Sequence, residues 1–203
     1  MFCRFRLLPG TFVAFALFVL VKGLLVPPCH DDGLCYRIPR IMNWLFEHQW
    51  YWIDAQDTRL NTRGTVSEWL TAPILLFFRT DHLVFLPNWI SFLFFPSLIF
   101  QVWRDWGVSP RVAWIWMWLL PTAFCYSMQA SNSSNDILVT FFALAAFALL
   151  RGGRKVPPVD LLASLLSAAL MTGTKPTMVP LLVPWAILMF PHVSFASVDR
   201  QGP

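Results

Sequence analysis

Charge is what this sequence has least of. Asp, Glu, Lys and Arg make up 13% of its 203 residues, about half the share that a water-soluble domain carries. That leaves too little polar surface to cover a globule in water. Cysteine is also scarce. Cys3, Cys29, Cys35 and Cys125 match no zinc spacing and build no disulfide framework. Cys29 and Cys35 share one polar segment, so a local bridge and two free thiols both fit. Internal repeats and low-complexity tracts are absent, which removes solenoid and linker architectures. So is any basic stripe. The net charge is +4 with pI near 9.1, but the cations stand at the ends of apolar blocks, as topology signals do. Nucleic acid is therefore not an expected partner.

What fills the chain is hydrophobic: 57% of residues, with a mean hydropathy of +0.57. The apolar residues fall in blocks at about 8–26, 84–103, 112–128, 136–150, 159–172 and 177–191, each near the ~20 residues that a bilayer-spanning helix needs. The expected fold is an all-α membrane protein of about six transmembrane helices. Its membrane domain covers 1–193 and a polar, disordered tail covers 194–203. Arg4 and Arg6 before the first block resemble the start of a signal sequence. No small-residue cleavage site follows, and the block reads as an uncleaved first helix. A stretch from Trp69 to Phe78 is too short to span and is expected at the interface or as a re-entrant dip.

Loop charge sets the orientation. Arg104 and Arg111 flank one connection, Arg151, Arg154 and Lys155 fill another, and Ser131–Asp136 has no basic residue. The positive-inside rule places both termini in the cytoplasm and Ser131–Asp136 outside. The long segment from Pro27 to Leu83 is then extracytoplasmic. Within it, Ile38, Ile41 and Leu45 follow helical spacing, with Trp44, Trp50, Tyr51 and Trp52 added. Residues Tyr36–Trp52 are expected to form an amphipathic helix lying on the outer membrane surface, in contact with lipid.

Several residues could carry chemistry. Asp31 and Asp32 follow the first helix. Paired carboxylates near a membrane can act as a general base, a metal ligand or an ion-binding group, and they can equally be a solvated acidic turn after Pro27-Pro28. A divalent metal held by Cys29, His30, Asp31, Asp32 and Cys35 is the weaker alternative, because the spacing fits no familiar ligand pattern. No other cofactor is expected. In Ser131–Asp136, Ser134 or Asn135 is placed to cap a helix and Asp136 to face its dipole. Glu68 reads as a first-turn helix acid. Lys175, in the turn Thr172–Thr177, either snorkels to the headgroups or binds a phosphate on the outer face.

In combination these motifs resemble the N-terminal part of membrane glycosyltransferases with the GT-C fold. The nearest likeness is to bacterial proteins of the dolichyl-phosphate-mannose–protein mannosyltransferase and aminoarabinose-transferase kind. The run Asp32-Gly33-Leu34-Cys35-Tyr36-Arg37-Ile38-Pro39-Arg40-Ile41-Met42-Asn43-Trp44-Leu45 is similar to an Asp-x-x-x-Tyr-His-x-Pro-Arg-x-x-x-Trp pattern after the first helix, with Arg37 where His is usual. Glu68 before a Leu-rich stretch, Asn135-Asp136 and Gly173-Thr174-Lys175 add to it. The resemblance implies inverting transfer of a sugar from a polyprenyl-phosphate donor to an acceptor at the outer face of a bacterial inner membrane. It makes Asp32 the base, with Asp31 beside it, and Arg37, Arg40, Glu68, Asn135, Asp136 and Lys175 substrate-binding residues. Such enzymes generally carry more helices than the six expected here. A non-enzymatic membrane protein, such as a transporter subunit or assembly partner, is the alternative.

Overall fold

Long apolar runs cannot leave backbone N–H and C=O groups unpaired, and helices satisfy them locally. The computed structural model describes residues 7–150 and 156–198, and among these every regular element is a helix. Arg4, Arg6, Cys3, the basic loop Arg151–Lys155 and Arg200 lie outside the described residues. Helix α1 spans Leu7–Leu25. A π-turn at Gly33–Arg37 leads directly into α2 at Ile38–Glu47, and the one-turn α3 covers Arg59–Thr62. Next come α4 (Val66–Phe78), α5 (Leu86–Asp105), α6 (Pro110–Leu119) and α7 (Phe124–Ala130). The chain closes with α8 (Asp136–Ala148), α9 (Pro158–Thr174) and α10 (Leu182–Val198).

Helix α5 is the hub, touching α1, α4, α6, α7 and α8. Its Phe92 and Phe95 are buried against Phe12 and Ala16 of α1, Met117 of α6 and Ile137 of α8. Helix α8 also packs along α9 through Leu138, Val139, Phe142 and Met171. Polar side chains stitch this apolar body. Trp89 Nε1–H donates to the Ala16 carbonyl at 2.9 Å, Ser164 Oγ–H to the Ala146 carbonyl at 2.7 Å, and Trp185 Nε1–H to Ser164 Oγ at 2.9 Å.

Among the described residues two helices, α1 and α5, are long and apolar enough to cross a membrane; 19 and 20 residues at 1.5 Å each give roughly 30 Å. Apolar side chains also cover the outside. Leu17, Phe18 and Val21 of α1, Phe94 of α5, Leu166 of α9 and Ile187 of α10 are all exposed.

Three elements differ from the sequence reading. Block 112–128 is not one helix: Pro121 has no N–H to continue the ladder, so a 3₁₀ turn at Leu120–Thr122 and an extended Ala123 separate α6 from α7. The helix expected at Tyr36–Trp52 begins earlier and ends at Glu47, where His48 turns left-handed (φ 53°). Its aliphatic face meets protein as well: Ile41 is buried with Leu75 of α4 and Val84, with Ile38 and Leu45 packed alongside. Finally, the backbone of α10 runs on through Val198 into the segment expected to be a disordered tail.

Candidate functional site

Four segments far apart in sequence meet at one end of the helical body. Gly33 lies so close to Ser133 that a Cβ there would overlap the serine hydroxyl, and Gly64 abuts the carbonyl oxygens of Gly173 and Thr174. Asn88 Nδ2–H donates to the Asn132 carbonyl at 2.7 Å and also to that of Ser134, holding the start of α5 against the start of α8. The candidate site residues Asp31, Asp32, Arg37, Arg40, Glu68, Asn135, Asp136 and Lys175 stand at this end.

At its centre lies a buried ion pair. Arg40 Nη1 is 3.3 Å from Glu68 Oε1, and the two side chains are 0% and 1% exposed. The same guanidinium donates to the carbonyls of Arg63 and Gly64 at 3.3 Å and of Arg59 at 2.5 Å. A charge taken from water needs several such partners, or its desolvation would exceed the attraction; Arg40 Nε is buried without one. Burial still pulls the Arg40 pKa below its ordinary value, with Glu68 opposing it. Arg37 continues the network: Nη1–H donates to Ser67 Oγ at 2.9 Å, and Ser67 Oγ–H to Glu68 Oε2 at 2.6 Å. Arg37 Nη2–H reaches the Tyr36 hydroxyl at 3.1 Å. Glu68 sits in the first turn of α4, as expected of a helix acid, and is in addition the counter-ion of Arg40. As placed, Arg40 and Glu68 show no open face to a ligand and can act on one only through the loop they organise.

The second group is open. Asp31 and Asp32 side chains are 82% and 41% exposed. Arg59 Nη1 approaches both, at 4.0 Å from Asp31 Oδ2 and 3.8 Å from Asp32 Oδ1. The other edge of Arg59 is taken by Asp57: Nε lies 3.1 Å from both carboxylate oxygens and Nη2 2.9 Å from Oδ2. These hydrogen bonds hold the Asp57 carboxyl below the usual carboxylate range and the guanidinium above its own. The Cys35 thiol donates to Asp31 Oδ1 at 3.2 Å. That bond, with desolvation and the Asp31 charge, raises the thiol pKa, while neighbouring Arg59 works against it. Cys29, Cys35 and Cys125 are free and exposed. Among the described residues, no three of His, Cys, Asp and Glu gather as metal ligands.

The third group joins α8 to α9. Lys175 Nζ is paired with the Asp136 carboxylate, and Asn135 Nδ2–H donates to the Thr174 carbonyl at 3.0 Å. Asn135 thus holds the N-cap position of α8 without a side-chain capping hydrogen bond, and Lys175 has a carboxylate partner across the helix pair. Among the described residues, no ion pair links Asp136 or Lys175 to Asp31 or Asp32.

Asp57 and Arg59 were not singled out from sequence. A local signal existed: Asp57 Oδ1 accepts from the Arg59 backbone N–H at 2.9 Å, a turn that an Asp-x-Arg spacing allows. The Arg40–Glu68 pair had none, since 28 positions separate the two. No family model, curated protein or solved structure matches this chain.

Proposed function

We propose that the chain is a multi-pass protein of a bacterial inner membrane, and that it is a GT-C-like glycosyltransferase, or a remnant of one, acting at the outer face. The observation that carries this reading is the meeting, at one end of the body, of the open acid pair Asp31–Asp32 with the Asp136–Lys175 pair and the Arg37/Arg40/Glu68 network. Exposed apolar faces on α1, α5, α9 and α10 support the membrane placement, since lipid is the solvent such faces match. Six spans extend that reading beyond α1 and α5 to the shorter and broken helices.

In the proposed reaction an acceptor hydroxyl attacks the anomeric carbon of a polyprenyl-phosphate sugar. The bond from that carbon to the phosphate oxygen breaks, and the electron pair leaves with the polyprenyl phosphate. The hydroxyl proton passes to Asp32. Asp32 is preferred over Asp31 because it is half-buried beside Arg59, whereas Asp31 is mostly exposed and already accepts from Cys35. A base must reach the acceptor proton at hydrogen-bond distance, and two adjacent side chains cannot share that position.

The test is sugar transfer from a polyprenyl-phosphate donor, in membranes with each variant at matched expression. Asp32→Asn should lose about 10²–10⁴ in rate, the usual scale for a general base. Asp31→Asn should lose far less. Full activity in Asp32→Asn removes the assignment, and a larger loss in Asp31→Asn moves it back one residue. A non-enzymatic role gains from the fact that Lys175 and Arg59 already have carboxylate partners; a parent protein without transfer activity would favour it.

A further inference from the structure

Arg59 is fixed from three directions. Asp57 grips its Nε and Nη2 with both oxygens. Its guanidinium carbon stands 5.3 Å from the centre of the Tyr36 ring, within range of a cation–π attraction. Its backbone carbonyl accepts from buried Arg40. Only Nη1 is left, and it faces Asp31 and Asp32. A surface arginine with one carboxylate partner would be worth little, because a long side chain gives up its rotamer freedom to make the pair. Here Asp57 already holds that side chain by three hydrogen bonds.

We infer that Arg59, clamped by Asp57, is the positioning residue of the Asp31–Asp32 pair: it offsets the repulsion between adjacent carboxylates and aims Asp32 into the site. The catalytic part rests on the sugar-transfer reading; the electrostatic part does not. Charged and titratable groups around the pair are Asp57 from the loop, Arg59 from the start of α3, Cys35, Tyr36 and Arg37 from the π-turn, Arg40 from α2 and Glu68 from α4. Of these, Arg59 alone ion-pairs with Asp31 or Asp32 among the described residues.

Cys35 makes this testable without turnover, because its thiol donates to Asp31 and lies beside Arg59. With Cys3, Cys29 and Cys125 changed to Ser in the full chain, iodoacetamide alkylation of Cys35 is followed against pH. Arg59→Gln removes the cation that favours the thiolate. The midpoint should move to higher pH and the rate at pH 8 should fall about three- to tenfold, as expected for one unit charge at this range in a wet setting. Asp31→Asn removes the accepting carboxylate and should move the midpoint the other way. Arg59→Lys keeps a cation without the fork and should restore most of the reactivity. An unchanged midpoint in Arg59→Gln overturns the proposal. So does a shift that Arg59→Lys leaves uncorrected, since that marks a scaffolding role. Where transfer is measured, Arg59→Gln should lower kcat about tenfold or more with the donor KM little changed. A parent lacking transfer defeats the enzymatic reading while the thiol result still decides the role of Arg59.

Discussion

Arg40 carries a full charge with 0% of its side chain exposed, and it is held by Glu68 and three backbone carbonyls. Removing one partner of such a pair leaves the other buried and uncompensated, which costs about 3–5 kcal/mol. Arg40→Met should therefore lower the unfolding midpoint in detergent sharply and free the loop whose carbonyls it gathers. Glu68→Gln should cost less, because the arginine keeps its three carbonyls. The double change to Met at both positions should regain part of the loss, and thermal unfolding of all three variants checks the order. Asp57 gives a pH dependence. Arg59 holds its folded-state pKa below the unfolded value, so the stabilisation is full above the unfolded value of about 3.9. It is lost as pH falls through the lower, folded pKa. Hydrogen exchange at Leu60, Asn61 and Thr62, whose amides bond to the Asp57 and Thr58 carbonyls, should quicken relative to α5 as pH drops below 4. In Asp57→Asn that extra acceleration should vanish.

At the scale of elements, hydropathy reveals the helices but not their partners. The aliphatic spacing of Ile38, Ile41 and Leu45 marks one helical face, yet nothing local says that Leu75 and Val84 will cover it. Pro121 was a readable break inside an apolar block; a proline without its N–H outweighs hydrophobic continuity. The acid pair, Asp136 and Lys175 could be picked out because charge is rare and sits at helix ends. Which of them would be matched to each other was hidden, since Asp136 and Lys175 lie 39 positions apart. Two helix ends meet where Gly64 faces Gly173 and Thr174. A methyl group there overlaps main-chain oxygens, which cannot rotate away as a side chain can. Gly64→Ala should destabilise by about 1–3 kcal/mol, the range for overpacking. Gly10→Ala in α1 meets nothing within 4 Å and should stabilise by up to about 1 kcal/mol through helix propensity. Paired thermal unfolding curves test the contrast, and equal effects would remove the close-packing argument.

At the scale of the whole molecule, the two ends of the helical body differ in charge and in how they are tied. One end joins α1 to the segment before α5 through His82 Nδ1 and the Leu24 carbonyl at 3.1 Å, α5 to α8 through Asn88, and α8 to α9 through Asn135. The connection Ser131–Asp136 at this end has no basic residue. The opposite end is tied by Gln101 Nε2–H donating to the Ala148 carbonyl at 2.7 Å, and it carries Arg104 and Arg111. Short loops rich in Lys and Arg stay cytoplasmic. The proposed topology therefore puts the acid pair outside, with six crossings that return the chain to the cytoplasm. Helices α8 and α9, at 13 and 17 residues, are about 20 and 26 Å long at 1.5 Å per residue, so local bilayer thinning is expected around them. A reporter active only in the cytoplasm, fused after Arg154, should be active. Ser131→Cys, in a background with all four native cysteines changed to Ser, should react with a membrane-impermeant maleimide added to intact cells. Reversed results at both sites would invert the orientation and carry Asp32 away from any outer-face donor. A reporter after Arg154 that matched the accessibility of Ser131→Cys would mean that the 136–150 segment does not cross, which would end the six-span reading.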